Sequence, residues 1–185
     1  YELFGNFHEK AKFLQLSDGG HYENLGLYEL VRRKCKVIVA TDAGCDAETS
    51  FADLQASLLR IEQDFGVTIE ISDEDFSKAV PRPADETKYP KGVDRAEQGF
   101  LVGRIDYRNW KNGNAAQDEM EHGYFLMAKT AFVEKNTDLQ VKANKNGKPD
   151  FPDQTTADQF EAYRRLGKAI GENALSDPLV QLKLR

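Results

Sequence analysis

Asp18 is the residue whose type and neighbours most readily suggest chemistry. It follows the short apolar run at 13–17 and precedes Gly19 and Gly20. Glycines let a substrate or another backbone segment come close, and the N–H groups at the start of a following helix can bind an anion. A carboxylate in this setting could serve as a general base. Asp is also a common turn residue, so Asp18 could instead cap the turn or the helix. Spacing alone leaves both interpretations open.

The other polar residues near Asp18 do not make a nucleophile, acid and base. Neighbouring strand residues point to opposite faces, so Ser17 and Asp18 would not converge on one bond, and His21 lies beyond the glycine turn. Elsewhere, His8 and His122 have no His, Cys or carboxylate neighbours at ligand spacing. We therefore interpret these two histidines as solvated surface residues, and we expect no metal site.

Two further segments have simple structural interpretations. Cys45 follows the apolar run at 37–40 and could face the same site, but a structural thiol is the favoured interpretation. Residues 144–150 have some features of a calcium loop, yet they lack its regular acidic ligands and final Glu, which favours a turn. The sequence also lacks the G-x-S-x-G, G-x-x-x-x-G-K, G-x-G-x-x-G and H-E-x-x-H motifs. By motifs alone, the chain has one candidate carboxylate, no nucleophile and no cofactor site.

Composition sets the class of protein. The chain has 185 residues, of which 40% are hydrophobic and 30% charged, enough for one globular domain with a hydrophobic core. The net charge is −6 without a basic patch, so nucleic acid is not an expected partner. No apolar run approaches the ~18 residues of a membrane helix. Two cysteines are too few for a disulfide scaffold. The opening lacks Met and a signal-peptide pattern, so we interpret the chain as part of a larger protein.

A strand, a helix and a second strand are expected to position Asp18. The apolar runs at 13–17 and 37–40 are typical of strands. Between them, residues 22–34 have helical spacing and end in three cations, which complement the helix dipole. This order predicts a right-handed βαβ unit. Asp18 would then lie at the carboxyl end of a strand, where open α/β sheets bind their ligands.

The remaining sequence continues the same α/β pattern. A helix is predicted over 51–65, with Ser50 and Asp53 as its capping signature and Gly66 as its stop. Strict alternation at 67–71 predicts a half-buried strand near the sheet edge. Further expected features are strands at 100–107 and 124–132, long loops at 81–97, 108–122 and 134–153, and a last helix from near Thr155 that buries Phe160, Tyr163, Leu166 and Ile170. The predicted fold class is α/β, with a partly parallel sheet and flanking helices.

Residues 16–30, with the sequence LSDGGHYENLGLYEL, resemble the patatin-like phospholipase family. The resemblance is to its large bacterial members and their cytosolic phospholipase A2 relatives. The stretches 41–44, 61–67 and 151–159 fit the same subgroup, so the resemblance covers most of 13–171. It implies that residues 1–185 are the C-terminal part of a patatin-like three-layer α/β/α domain.

The resemblance also implies a Ser–Asp catalytic dyad. In that family a serine on a G-x-S-x-G turn attacks an ester carbonyl, and the aspartate of the D-G-G motif accepts its proton and later activates water. Carried over, Asp18 is the base, Gly19 and Gly20 complete its motif, and Asn24 supports the loop. Such a dyad needs no metal or cofactor. The serine and a glycine-rich oxyanion stretch are expected before Tyr1, in the N-terminal part of the same protein.

The expected function is bacterial lipid degradation by a phospholipase-type or lysophospholipase-type acyl hydrolase to which this chain contributes the base. The expected partners are a lipid ester or phospholipid substrate at a membrane surface and the N-terminal part of the protein. Without nucleophile and oxyanion donors, this chain alone is expected to be inactive. The expected location is cytoplasmic, or membrane-associated through parts outside this chain. Two alternatives stay open, namely an inactive patatin-like lipid-binding module and an interaction domain.

Overall fold

The computed structural model of the chain describes residues 18–44, 46, 48–83, 94–111, 121–133 and 157–183. After a 3-10 turn at Gly19–His21, the helices are α1 (Leu27–Arg32), α2 (Ala52–Phe65), α3 (Asp73–Ala79), α4 (Ala157–Ser176) and α5 (Pro178–Lys183). The strands are β1 (Val37–Asp42), β2 (Thr68–Ile71), β3 (Arg82–Pro83), β4 (Asp94–Arg95), β5 (Phe100–Asp106) and β6 (His122–Lys129).

Four of the strands form one mixed sheet in the order β1-β6-β5-β2. β1 and β6 are parallel, and their register runs from Val37 opposite Tyr124 to Asp42 opposite Lys129. β5 is antiparallel to both β6 and β2. Because β1 and β6 run in the same direction, their carboxyl ends lie side by side. This pairing brings Asp42 and Lys129 together although they are far apart in sequence.

Helices cover both faces of the sheet. Strands β5 and β6 carry apolar side chains on both of their faces, and each apolar face packs against helices. The larger apolar cluster joins one face of the sheet to α1 and α2, and its members include Leu27, Val31, Ile38, Leu54, Ile61, Leu101, Ile105, Phe125 and Met127. The opposite face contacts α4 and α5 through Phe100, Val102, Leu126, Ala174 and Val180. Sheet and helices together confirm the predicted α/β class with a partly parallel sheet and flanking helices.

Several predicted elements are confirmed. β1, β5 and β6 lie within a few residues of the predicted runs, and β2 lies at the end of the sheet order, as its alternation indicates. Helix α2 covers Ala52–Phe65 and is capped by Gly66, which adopts a left-handed conformation with φ of 73° and donates its N–H to the carbonyl of Glu62. In α4, Tyr163, Leu166 and Ile170 are buried. The strand predicted at 13–17 lies outside the described residues.

Other predictions were wrong. Ser50 does not cap α2; the cap position is Phe51, with φ of 54° and no side-chain cap. The helix predicted over 22–34 is confined to α1, because Gly26 lies in the left-handed region just before it. Phe160 is 57% exposed rather than buried. Within the predicted loop 81–97, β3 and β4 form a two-stranded antiparallel pair.

Helix α3 was not predicted. It begins after Ser72, whose Oγ accepts a hydrogen bond from the N–H of Asp75. Three acidic residues in its first turn are favourable at a helix N-terminus. Ser72 followed three residues later by an acidic residue was therefore a readable capping signal.

Candidate functional site

Asp18 caps the 3-10 turn that follows it and keeps an accessible carboxylate. Its Oδ1 accepts a hydrogen bond from the N–H of Gly20 at 2.9 Å. The side chain is exposed, and Oδ2 has no hydrogen-bond partner among the residues that the structure describes. A ring nitrogen of His21 lies 3.1 Å from the carbonyl oxygen of Asp18, not from its carboxylate. The capping interpretation and the general-base interpretation are therefore compatible at this residue.

Gly20 leaves room for a neighbouring side chain that approaches closely. A Cβ atom at Gly20 would lie 2.5 Å from Oδ1 of Asn24 and 3.3 Å from Oδ1 of Asp18. At Gly19, by contrast, a Cβ would meet no described atom within 4 Å. The structure thus brings Asp18, Gly20 and Asn24 together, and it gives the second glycine of the motif a steric reason.

The loop that carries Asp18, residues 18–26, is fastened to helix α2. Asn24 donates from Nδ2 to Oδ2 of Asp53 at 3.0 Å, and Glu23 accepts from the buried Ser57 hydroxyl at 3.0 Å. Residues 53, 57, 60 and 64 of α2 lie on one side of the helix because they are four, three and four positions apart. We call this side the α2 polar face; its remaining contacts are Arg60 over the ring of Tyr22 at 4.8 Å and Asp64 with the hydroxyl of Tyr28 at 2.8 Å.

A charge cluster of the buried Asp42 and Lys129 and the half-buried Asp46 lies at the carboxyl ends of β1 and β6. The ammonium of Lys129 lies 2.8 Å from Oδ2 of Asp42 and 3.7 Å from Oδ2 of Asp46. The Lys129 and Asp42 side chains are only 4% and 6% exposed. Asp42 also accepts the N–H of Gly44 through Oδ1 at 2.9 Å. Burying one cation against two carboxylates is tolerable only because the partners are close and hydrogen-bonded.

Asp46 organises the entry to α2. Its carboxylate accepts the N–H and the hydroxyl of Ser50, each at 2.9 Å, and the N–H of Phe51 at 2.8 Å. Burial by itself would raise the pKa of Asp46, but these hydrogen bonds and the positive charge of Lys129 lower it below its usual value. Asp46 thus fixes Ser50 and Phe51, the two residues before α2, without capping the helix itself.

The charge cluster and the α2 polar face adjoin at Gly44. A Cβ there would lie 3.1 Å from Oδ1 of Asp42 and 3.9 Å from Oδ2 of Asp53. A cavity of about 120 Å³ lies between them, lined by Asp42, Gly44, Asp46, Ser50, Ala52, Asp53 and Lys129. Asp53 thus contacts Asn24 on one side and lines a cavity shared with the charge cluster on the other.

A second cavity, of about 290 Å³, opens between the ends of β1 and β6 and helix α4. Asp42 and Lys129 line it as well, but most of its wall is apolar. The other lining residues are Thr41, Ala43, Ala128, Thr130, Phe160, Tyr163, Arg164, Leu166, Gly167 and Ile170. This cavity could hold an apolar group next to the carboxyl ends of the parallel strands.

Neither Asp53 nor Lys129 was predicted as a member of the site. A signal existed for Lys129, since it is a cation directly after the apolar run 124–128 of a buried strand. No comparable signal marked the contact of Asp53 with Asn24, 29 residues away. His122 is not a fully solvated residue, because its side chain is 27% exposed beside Asp106. His8, Cys45 and residues 144–150 lie outside the described residues.

The described residues contain no group of three or more His, Cys, Asp or Glu side chains arranged to hold a metal ion. Among the same residues, no helix combines the length and apolar character needed to cross a membrane. Comparisons of the chain with protein-family models, curated proteins and solved structures gave no match.

Proposed function

We propose that this chain carries the general base, Asp18, of a patatin-like lipid acyl hydrolase that works with a Ser–Asp dyad. One observation carries the proposal: Asp18 is exposed and oriented by its own turn, and its Oδ2 is unpartnered among the described residues. A general base must reach the proton it abstracts, so an accessible carboxylate oxygen on a fixed turn is the required geometry. The resemblance of residues 16–30 to the family supports the same assignment.

In the proposed reaction, a serine outside these 185 residues attacks the ester carbonyl of a lipid while Asp18 accepts its hydroxyl proton. The tetrahedral intermediate collapses, the alcohol leaves with the proton from Asp18, and the acyl group stays on the serine. Water then attacks the acyl-enzyme, Asp18 takes a proton from that water, and the proton returns to the serine as the fatty acid departs. Backbone donors for the oxyanion are assigned to the same outside part.

Two structural features support a lipid substrate and a partner segment. The apolar cavity against α4 lies at the carboxyl ends of β1 and β6 and would accommodate part of a hydrocarbon chain. Val37 and Val39 on the edge strand β1 are 41% and 58% exposed. These exposed apolar residues support the packing of further protein, proposed to be the N-terminal part, against the β1 edge of the sheet.

The proposal is tested by ester hydrolysis with the full-length protein. A short-chain chromogenic ester and a phospholipid serve as substrates for the wild type and for Asp18→Asn, which keeps the shape and removes the base. The matched control is Asp73→Asn, an exposed acid in the first turn of α3. We expect Asp18→Asn to lose on the order of 10²–10⁴ in rate on both substrates, with Asp73→Asn unchanged. Equal activity in the wild type and Asp18→Asn would refute the role of Asp18, and lipid binding without hydrolysis in the wild type would indicate an inactive binding module.

A further inference from the structure

We propose that Asp53, acting through Asn24, is a positioning residue that sets the orientation of the Asp18 turn. The inference rests on the proposed function, because it assigns a residue to the machinery of the same base. Asp53 belongs to helix α2, 35 positions beyond Asp18 in the sequence, and it does not contact the Asp18 carboxylate. Its effect would pass through two intervening residues, Asn24 and Gly20.

The amide of Asn24 uses both of its ends in this arrangement. Nδ2 donates to Oδ2 of Asp53 at 3.0 Å. Oδ1 packs against Gly20 so closely that a Cβ there would lie 2.5 Å from it. Gly20 in turn donates its N–H to Oδ1 of Asp18 at 2.9 Å. Asn24 therefore lies against the residue that orients the carboxylate, and its hydrogen bond to Asp53 holds it in that place.

Asp53 lies on helix α2, which is well packed in the core. The helix is 14 residues long and buries Leu54, Ile61 and Phe65 in the main core. Its entry is held by three hydrogen bonds to the carboxylate of Asp46. The Asp18 turn, in contrast, has no buried residue. A contact from α2 to the loop that carries this turn would therefore restrict the motion of the Asp18 carboxylate.

Because its side chain is exposed, Asp53 can be tested as a positioning residue without unfolding the protein. The Asp53 side chain is exposed, and exposed polar pairs contribute little to global stability. Removal of the Asn24–Asp53 contact should therefore leave the folded fraction intact and reduce the rate of the chemical step. Loss of orientation lowers kcat, whereas loss of uniform substrate binding would raise KM.

The test compares Asp53→Ala, Asn24→Ala, the double variant and Asp53→Asn in the full-length protein, with Glu62→Ala as an exposed control on the same helix. Asn at 53 retains a side-chain oxygen that can accept from Asn24, whereas Ala does not. We expect Asp53→Ala and Asn24→Ala each to lower kcat about tenfold with KM within twofold, and the double variant to be no worse than either. Asp53→Asn should recover most of the lost rate.

Amide hydrogen exchange at residues 20–24 provides a readout that does not need activity. Exchange should accelerate in Asp53→Ala and Asn24→Ala, and less so in Asp53→Asn. Unchanged exchange in Asp53→Ala would overturn the inference, as would faster exchange with a wild-type kcat or additive losses in the double variant. A failure of the proposed function is distinguishable, because it would appear as an Asp18→Asn protein with wild-type activity whatever the exchange result.

Discussion

At the scale of single residues, Asp18 caps a turn and is also the residue that we propose as the general base. One carboxylate oxygen caps the turn that begins at Gly19, and the other is unpartnered among the described residues. The sequence indicated this residue because an apolar run, an acid and two glycines form a local pattern. It could not indicate Asp53 as the partner of Asn24, because that contact depends on how α2 packs against the loop.

The two glycines after Asp18 should respond differently to the same substitution. Gly20→Ala would place a Cβ 2.5 Å from Asn24, whereas Gly19→Ala would meet no described atom within 4 Å. We expect Gly20→Ala to lower kcat/KM for ester hydrolysis at least tenfold, which is about 1.4 kcal/mol, and Gly19→Ala to cost much less. Steady-state kinetics on the full-length variants would check this, and equal losses at both positions would contradict the steric explanation.

Asp46 should make stability depend on pH in the acid range. Its pKa is lowered in the folded protein from the ordinary value of 3.8, so the folded state prefers the ionised form. The resulting stabilisation is present above about pH 4 and is lost as the pH falls through the lowered pKa. Asp46→Asn should therefore be less stable than the wild type at pH 7, by roughly 1.5–3 kcal/mol for hydrogen bonds to a charged group.

Urea unfolding of both proteins between pH 7 and the acid limit of the folded state would measure this. The difference in unfolding free energy between the wild type and Asp46→Asn should narrow below pH 4. If the difference in unfolding free energy stays constant with pH, the charge of Asp46 does not stabilise the folded protein.

At the scale of elements, the decisive contact joins the last residues of β1 and β6. Asp42 and Lys129 are paired in the parallel register and nearly inaccessible to water. Local signals predicted elements such as β2 and the end of α2 at Gly66, since alternation and a terminal glycine act within a few residues. Ser50 misled the prediction because its hydroxyl donates to Asp46, four residues earlier, instead of accepting an N–H from the first turn of α2.

Breaking the buried pair on one side should be costly. Lys129→Met would leave Asp42 buried without its cation, and we expect the free energy of unfolding to fall by about 3–5 kcal/mol. Adding Asp42→Asn removes the orphaned charge and keeps an acceptor for the N–H of Gly44. The double variant should therefore be more stable than Lys129→Met alone by about 1–3 kcal/mol.

Equilibrium denaturation of the wild type, both single variants and the double variant gives the coupling energy directly. Additive losses would mean that the two side chains do not stabilise each other across the strand ends.

At the scale of the whole molecule, the sequence predicts layers better than it predicts neighbours. Helices on both faces of the sheet follow from apolar residues on both sides of β5 and β6. The mixed strand order does not follow, because β1 pairs with β6 across some 80 residues of chain. No local pattern specifies such a pairing. The same holds for the site. Asp18 could be predicted from its neighbours in the sequence, whereas the pairing of Lys129 with Asp42 depends on how the strands assemble.

The central claim is that Asp18 is the base of a Ser–Asp dyad, and the most direct test is the reaction of the full-length protein with a fluorophosphonate. In this reaction a serine oxygen displaces fluoride at phosphorus while its proton passes to the base. We expect a single labelled serine outside these 185 residues, and a labelling rate on the order of 10²–10⁴ lower in Asp18→Asn but unchanged in Asp73→Asn. Labelling at the same rate in Asp18→Asn, or at a serine within this chain, would contradict the account.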